Sequence, residues 1–188
     1  MRWLCAGGLL WVVACQHRPP KSPATQPLAP CPDQTLTSAE VADLSRQGLV
    51  TVDANRLGEH HSIASLEAGM PMLKKAALHG NVTAMTRYAS LVTWYGFIDN
   101  DGEPFLGRSQ WENGQEGLLF NILAAHRGEP IWVEDQETFR VLLDPTEPFP
   151  KGFLDDDSGT AWVIQGWPPE TVDQVRKQAY QWRDCWAD

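Results

Sequence analysis

The sequence predicts a mainly α-helical fold of antiparallel helical hairpins joined by irregular loops, with room for a short β element. The first observation is an amphipathic stripe of residues three, four and seven positions apart, namely Met85, Tyr88, Ala89 and Val92. The second is the junction Gly80-Asn81, where glycine ends one helix and asparagine caps the next. The third is an apolar seam after Pro168-Pro169, formed by Val172, Val175, Ala179, Trp182 and Trp186.

The first helix is predicted to begin at Thr37, because Glu40 three residues later completes a capping box, and to end at Gly48. The next ten residues, "LVTVDANRLG", are too few to assign to strand or loop. A second helical stretch is predicted over 61–69. Pro71 then fits the first turn of the helix that ends at Gly80.

Three segments separate the central hairpin from the last helix. "VEDQETFRVLLD" predicts a helix that ends before Pro145, and "DPTEPFPKGFLDDDSG" predicts a long loop. "TAWVIQGW" fits either a strand or a buried helical turn. The helical part of the chain is therefore predicted as one domain, residues 37–188.

The hairpin "AALHGNVTAMTRYASLVTWYG" resembles the Sel-like repeat, a relative of the tetratricopeptide repeat. The matching residues are Ala76, Ala77, Gly80, Asn81, Ala84, Tyr88, Ala89, Tyr95 and Gly96. A partial second copy, Ala124, Ala125 and Gly128, follows 48 residues later. The resemblance implies stacked helical hairpins. The spacing is about a dozen residues too long, which "FIDNDGEPFLGR" absorbs, and Pro130 interrupts the second copy.

The N-terminus has the pattern of an export signal: Arg2 precedes an uncharged apolar run that is too short to span a bilayer. Val12-Val13-Ala14-Cys15 resembles the lipobox of bacterial lipoproteins. This implies that residues 1–14 are removed and that Cys15 is lipidated. Because Gln16 is not the aspartate that retains lipoproteins at the inner membrane, the resemblance implies an outer-membrane anchor facing the periplasm. An ordinary cleaved signal and an uncleaved anchor remain alternatives.

Residues 15–36 are rich in proline and poor in large apolar side chains, so they predict a semi-extended tether of roughly 60 Å at about 3 Å per residue. If Cys5 leaves with the signal and Cys15 is lipidated, Cys31 and Cys185 remain as a pair in an oxidising compartment. We therefore predict a disulfide between them. Two unpaired thiols are the alternative.

The net charge of −9 is concentrated in the second half, since Phe97–Asp188 has seven Lys/Arg and eighteen Asp/Glu. This acidity argues against nucleic acid and anionic lipid headgroups as partners and is compatible with a basic protein. Acidity also keeps many exported domains soluble.

The sequence offers no catalytic or metal-binding residue and implies no cofactor. It has no G-x-S-x-G elbow, and His60-His61 lacks the glutamate between spaced histidines of zinc proteases. "DNDG" at Asp99 lacks the glutamate of a calcium loop, because Gln110 stands at the twelfth position. It and "DDDSG" at Asp155 are interpreted as solvated turns.

Aromatic and acidic residues near loops are the candidate contacts for a partner. Trp94, Trp182 and Trp186 have helical spacing and are predicted to be in the core, whereas three tryptophans near turns are candidate exposed anchors. The partner-binding candidates are Asp99, Asp101, Glu103, Trp111, Trp132, Asp155, Asp156, Asp157 and Trp167.

A small exported lipoprotein with Sel-like units is similar to immunity lipoproteins that protect bacteria from type VI secretion toxins, including lipases. The resemblance implies that the chain is not an enzyme but neutralises an effector protein in the periplasm, with the loop Phe97–Arg108 as a contact. One alternative is an outer-membrane adaptor that binds envelope proteins. Another is a protein that binds or hydrolyses cell-wall glycan through its tryptophans and acidic turns.

Overall fold

The computed structural model describes residues 28–54, 56, 60–98, 104–128, 141–146, 148–149 and 167–186. Within them lie the helices α1 (Ser38–Asp53), α2 (Ile63–Leu78), α3 (Val82–Thr93), α4 (Gln110–His126) and α5 (Pro169–Asp184), and a π-helical turn (Trp94–Ile98). The mainly α prediction is confirmed. In these ranges the β element is reduced to isolated bridges such as that between Phe105 and Arg108, and no helix is long and apolar enough to cross a bilayer.

Helix α1 begins as predicted and ends later than predicted. The Thr37 hydroxyl accepts a hydrogen bond from the Glu40 amide at 3.3 Å, and the Glu40 carboxylate accepts one from the Thr37 amide at 2.8 Å. Gly48 does not end the helix, which continues to Asp53. Its lack of a side chain serves packing, because a Cβ at this position would lie 2.8 Å from Leu73 Cγ on α2.

Helix α2 is continuous, so the predicted end at Gly69 and new start at Pro71 were wrong. Gly69 is another site of close helix packing: a Cβ there would lie 2.8 Å from the backbone nitrogen of Val52. Pro71 and Glu67, whose carbonyl would accept the N–H that proline lacks, both lie on the exposed side of α2. Tertiary packing therefore overrides both local signals.

The central hairpin is confirmed. Gly80 has the positive φ of 83° expected at a helix C-terminus, and Asn81 Oδ1 accepts a hydrogen bond from the Ala84 amide at 2.9 Å. The apolar stripe of α3 is buried against its neighbours. Gly128 follows α4 with a φ of 91°, so it has the same left-handed conformation as Gly80 after α2.

Helix α5 begins after Pro168 as predicted, and its apolar seam packs onto the core. It runs in the same direction as α4. Near the start of both helices the rings of Trp111 and Trp167 lie 4.8 Å apart, and near their ends His126 and Tyr180 lie 6.2 Å apart.

The helices define two ends of the bundle. The last turn of α1, the first turn of α2, the π-helical turn and the first turn of α4 share one end, which we call the open end. Contacts that establish it include the ion pair of Asp53 with Arg87 at 2.7 Å and the hydrogen bond from the His61 amide to Tyr95 at 2.9 Å. The last turns of α2 and α5 and the first turn of α3 form the opposite end, which we call the latched end.

Candidate functional site

The latched end is closed by the predicted disulfide. Cys31 and Cys185 are bonded, with their Cα atoms 5.8 Å apart and a sequence separation of 154. The bond joins the segment that precedes α1 to the residue that follows α5. The disulfide prediction is thereby confirmed.

The segment 28–34 is held along α5 by side chains that bind its backbone. Gln178 accepts a hydrogen bond from the Ala29 amide at 2.5 Å and donates one to the Ala29 carbonyl at 2.9 Å. Trp182 donates its indole N–H to the Pro30 carbonyl at 2.9 Å. This part of the predicted 15–36 tether therefore belongs to the folded body, because backbone groups that prolines leave unpaired find donors on α5.

Helix α2 ends at this same place. The Leu78 carbonyl, which has no partner inside the helix, accepts hydrogen bonds from Gln34 at 2.9 Å and from the indole N–H of Trp186 at 3.2 Å. The Trp186 ring also lies over Gly80, where an added Cβ would come within 3.4 Å of it. Gln34, before α1, and Trp186, after α5, thus cap the end of α2 at the hairpin turn together.

Most of the predicted contact residues and the lipidation residue lie outside the described residues. These are Cys15, Asp99, Asp101, Glu103, Trp132, Asp155, Asp156 and Asp157. Their roles stay predictions.

Two tryptophans were wrongly predicted as exposed anchors. Trp167 is buried, and Trp111 packs on the core with its ring against that of Trp167. The physical reason is that α4 and α5 run in the same direction, so Trp111 and Trp167, near the starts of the two helices, become neighbours. Sequence position beside a turn did not reveal this contact.

Trp94 shows the opposite error. It was predicted in the core, yet 51% of its surface is exposed. Trp94 follows Arg87 and Ser90 by seven and four positions, so the regular helical period places it on the polar face of α3 and not on the buried stripe. Trp182 and Trp186 are partly buried against the core, as their spacing predicted.

The open end exposes apolar side chains from three helical segments. Val50 is 66% exposed, Ile63 57% and Trp94 51%. In the described part of the chain only two other large apolar residues are exposed, Leu28 and Tyr180. Apolar exposure is therefore concentrated at one end of the bundle.

Beneath this surface, a polar network joins α1, α2 and α3. His61 is buried, and its Nδ1 donates to the Val52 carbonyl at 2.8 Å, which leaves Nε2 as an acceptor 3.3 Å from the Arg87 guanidinium. Arg87 also donates to Asp53. His61 thus has a structural role, and no group of three or more metal-ligating side chains occurs among the described residues.

Asn113 connects the flanks of the acidic segment 99–103. Its buried side-chain amide nitrogen lies 3.4, 3.3 and 3.4 Å from the carbonyl oxygens of Gly96, Phe105 and Arg108. The rings of Tyr95 and Phe105, one on each side of this segment, lie 6.3 Å apart. Asn113 therefore joins residues on the two sides of this segment at the open end.

A charge cluster that the sequence did not predict lies inside the bundle around Glu116. Its carboxylate pairs with Lys74 at 2.6 Å, accepts the Tyr88 hydroxyl at 2.6 Å and pairs with Arg108. Burial, with a smaller contribution from Arg108, lowers the pKa of Lys74 to about 8, and burial raises the pKa of Tyr88 to about 12. These four residues come from separate segments of the chain, so the sequence did not indicate that they lie together. The one signal was that a charged residue, Lys74, directly follows the apolar Leu73.

A cleft of about 280 Å³ adjoins this cluster, with Arg108 and Glu116 on the α4 side and Gln174 and Gln178 on α5. The Glu116 carboxylate accepts hydrogen bonds from Lys74, Tyr88 and Arg108. The Glu116 carboxylate and the Lys74 ammonium are therefore bound to groups of the protein itself. This arrangement favours a role in holding α2, α3 and α4 together over a role in acid–base chemistry.

The chain matches no protein-family model, no curated protein and no solved structure in these comparisons. The helical fold and the two unlike ends of the bundle are therefore the basis for a functional proposal.

Proposed function

We propose that this chain is a lipid-anchored, periplasm-facing binding protein that neutralises a secreted antibacterial effector. The observation that carries the proposal is the division of the bundle into a disulfide-latched end and an end that exposes Val50, Ile63 and Trp94. A scaffold that is fastened at one end and apolar at the other fits a docking role.

The disulfide and the N-terminal sequence pattern support the proposed compartment. Structural disulfides persist outside the reducing cytosol, in the periplasm or beyond. The lipobox-like sequence ending at Cys15 supports attachment to the outer membrane. On this proposal the tether holds the domain in the periplasm, the compartment that an envelope-degrading enzyme enters.

Binding is favoured over catalysis by the state of the ionisable groups. In the described ranges the charges of the cluster around Glu116 are paired with one another. Hairpin scaffolds commonly act by presenting a binding surface. The similarity to immunity lipoproteins supports an effector, for example a lipase, as the partner.

The test of function is protection of growth. The protein encoded by the adjacent reading frame is produced in the periplasm, alone or together with this chain, and growth is followed. We expect growth arrest by the effector alone and recovery with this chain. If the wild-type chain gives no recovery while it accumulates in the periplasm, neutralisation of that effector is excluded.

The test of anchoring uses the Cys15→Ala variant as its matched control. Cells are labelled with radioactive palmitate and fractionated. We expect label on the wild-type chain in the outer-membrane fraction and no label on the variant. Unlabelled wild-type chain in the soluble fraction would refute the lipid anchor and leave the growth test to judge the binding role.

A further inference from the structure

We infer that the cleft between α4 and α5 binds an extended stretch of polypeptide, and that its occupant is the chain's own segment Thr25, Gln26 and Pro27. The inference goes beyond the proposed function and does not depend on it, because it concerns an interaction within the chain. It commits to the chain's own segment rather than to a second copy of the chain or a separate protein.

The first step is that α5 already binds main chain at one end of the cleft, where Ala29 is part of the lining. The Gln178 carboxamide accepts a hydrogen bond from the Ala29 amide and donates one to the Ala29 carbonyl, so it pairs with both polar groups of one backbone residue. One helical turn later, the Trp182 indole donates to the Pro30 carbonyl. This face of α5 therefore recognises the backbone groups of a proline-containing segment.

The second step is the direction from which the chain arrives. From Ala29 to Cys31, the partners on α5 advance from Gln178 to Cys185, so this part of the chain runs in the same direction as α5. The preceding residues therefore approach from the side that leads back to Gln174. Gln174 lines the cleft four residues before Gln178. The cleft thus lies on the path by which the chain reaches Ala29.

The third step is the match in length. The helical turn from Gln178 back to Gln174 covers about 6 Å at 1.5 Å per residue. An extended proline-rich chain advances about 3.1 Å per residue, so two of its residues cover the same distance. On this spacing Pro27, two residues before Ala29, lies beside Gln174, and Thr25 lies one further turn along the cleft.

The fourth step is the match in charge and polarity. Arg108 in the wall is paired with Glu116, and Glu112 accepts hydrogen bonds from the N-cap Ser109. The rest of the lining includes two carboxamides and two apolar side chains, namely Gln115, Gln174, Leu119 and Val175. Residues 22–28 have no charged side chain. An uncharged segment therefore fits walls whose charges are already bound and whose carboxamides can both donate and accept hydrogen bonds.

Docking of this segment would shorten the connection to the membrane. If Cys15 carries the lipid, residues 16–24 remain between the lipid and the domain. They span roughly 28 Å at about 3.1 Å per residue, less than half of the 60 Å that the composition of 15–36 predicts. The domain would then be held closer to the bilayer.

Nuclear magnetic resonance of the exported, oxidised chain in detergent micelles tests the inference. We expect nuclear Overhauser contacts from Gln26 and Pro27 to the side chains of Gln115 and Gln174. We also expect the Gln26 amide to exchange with solvent at least about tenfold more slowly than in an unstructured chain. Absence of these contacts, with exchange at the unstructured rate, overturns the inference.

Matched variants of the domain connect the contacts to the cleft. Gln115→Trp places a large side chain in the cleft, and Gln47→Trp makes the same change on the exposed side of α1. The contacts of Gln26 and Pro27 should disappear in Gln115→Trp and persist in Gln47→Trp, while the Ala29 amide stays protected in both. Contacts that persist in Gln115→Trp, or that disappear in both variants, overturn the assignment of the cleft.

A second pair of variants changes the segment and leaves the folded domain unaltered. Pro27→Glu brings a carboxylate toward Glu112 and Glu116, so the contacts should be lost through like-charge repulsion. Pro23→Glu adds the same charge outside the docked residues and should keep them. Equal behaviour of the two variants contradicts the inference.

The last measurement separates the chain's own segment from a second copy. Chains labelled with carbon-13 and chains labelled with nitrogen-15 are mixed, and contacts between the two labels are recorded. We expect no contact between differently labelled chains. If the contacts of Pro27 join two chains, the occupant is a second copy and the inference is wrong. This readout is independent of the growth assay, because it reports contacts and not protection.

Discussion

Tryptophan side chains occur at both ends of the bundle, in different environments. At the latched end, Trp186 and Trp182 use their indole N–H groups to bind backbone carbonyls, and a disulfide joins the chain termini of the domain. At the open end, Trp94 is half exposed above a polar network. The disulfide and the exposed apolar side chains Val50, Ile63 and Trp94 thus lie at opposite ends of the bundle.

The largest expected effect on stability comes from removal of the disulfide. In the double variant Cys31→Ser, Cys185→Ser, the free energy of unfolding should fall by about 4 to 5 kcal/mol, because the disulfide closes a loop longer than 100 residues. Equilibrium denaturation in guanidinium chloride measures this. A loss below about 1 kcal/mol would mean that the backbone contacts of 28–34, rather than the disulfide, fasten this end.

The next effect concerns the charge cluster between the ends. Glu116→Gln keeps the shape of the side chain but leaves Lys74 and Arg108 without their counter-charge. We expect a loss of about 2 to 3 kcal/mol, below the value for a fully buried pair because both cations are partly solvated. The control Glu67→Gln, on the exposed side of α2, should change stability by less than about 0.5 kcal/mol. Similar small changes in both variants would contradict the role of the cluster.

A glycine near the open end tests whether the structure beneath the exposed surface is tightly packed. Gly69→Ala in a helix normally stabilises by up to about 1 kcal/mol through helix propensity. Here the added Cβ would meet the Val52 nitrogen at 2.8 Å and the Gly48 carbonyl oxygen at 2.9 Å, so we expect a loss of about 2 kcal/mol. Thermal unfolding that shows stabilisation would mean that α1 and α2 separate easily.

Local patterns predicted the elements whose signals act within one turn of helix. The capping box at Thr37, the Gly80-Asn81 turn and the start of α5 were correct for this reason. The disulfide was also predicted, but by elimination between cysteines. Gly48 and Gly69 were interpreted as helix ends because a glycine that serves a close helix contact has the same sequence signature as one that ends a helix.

The features that the sequence did not reveal depend on which segments become neighbours. Trp111 and Trp167 are 56 residues apart in the chain and touch only because α4 and α5 run in the same direction. The Glu116 cluster likewise needs α2, α3 and α4 to be in place. Trp94 was misplaced for a different reason: its spacing from Arg87 and Ser90 puts it on the polar face of α3, although tryptophan is a large apolar residue. The pairing of distant segments is therefore the information that the sequence alone did not provide.

The stability is also expected to depend on pH. Lys74 has a pKa of about 8 in the folded protein against 10.5 in the unfolded chain, so the unfolded chain binds more protons between these values. The free energy of unfolding should therefore rise as pH increases from about 8 to 10. Above pH 10 it should fall again, because the Tyr88 hydroxyl with its pKa of about 12 keeps a proton that the unfolded chain loses. Lys74→Met should abolish the rise and Lys75→Met should preserve it; a rise in both would assign it to another group.

The smallest effect on stability is expected at the open end, and a pair of tryptophans tests it. Trp94→Ala should change the free energy of unfolding by less than about 0.5 kcal/mol, because the side chain is half exposed and solvent already surrounds it. Trp186→Ala should lower it by about 2 kcal/mol, because it removes the hydrogen bond to Leu78 and the contact over Gly80. Denaturant titrations of the two variants, made side by side with the disulfide intact, measure the difference. Equal losses would show that Trp94 is part of the scaffold, and the division between a stabilising end and an exposed end would no longer hold.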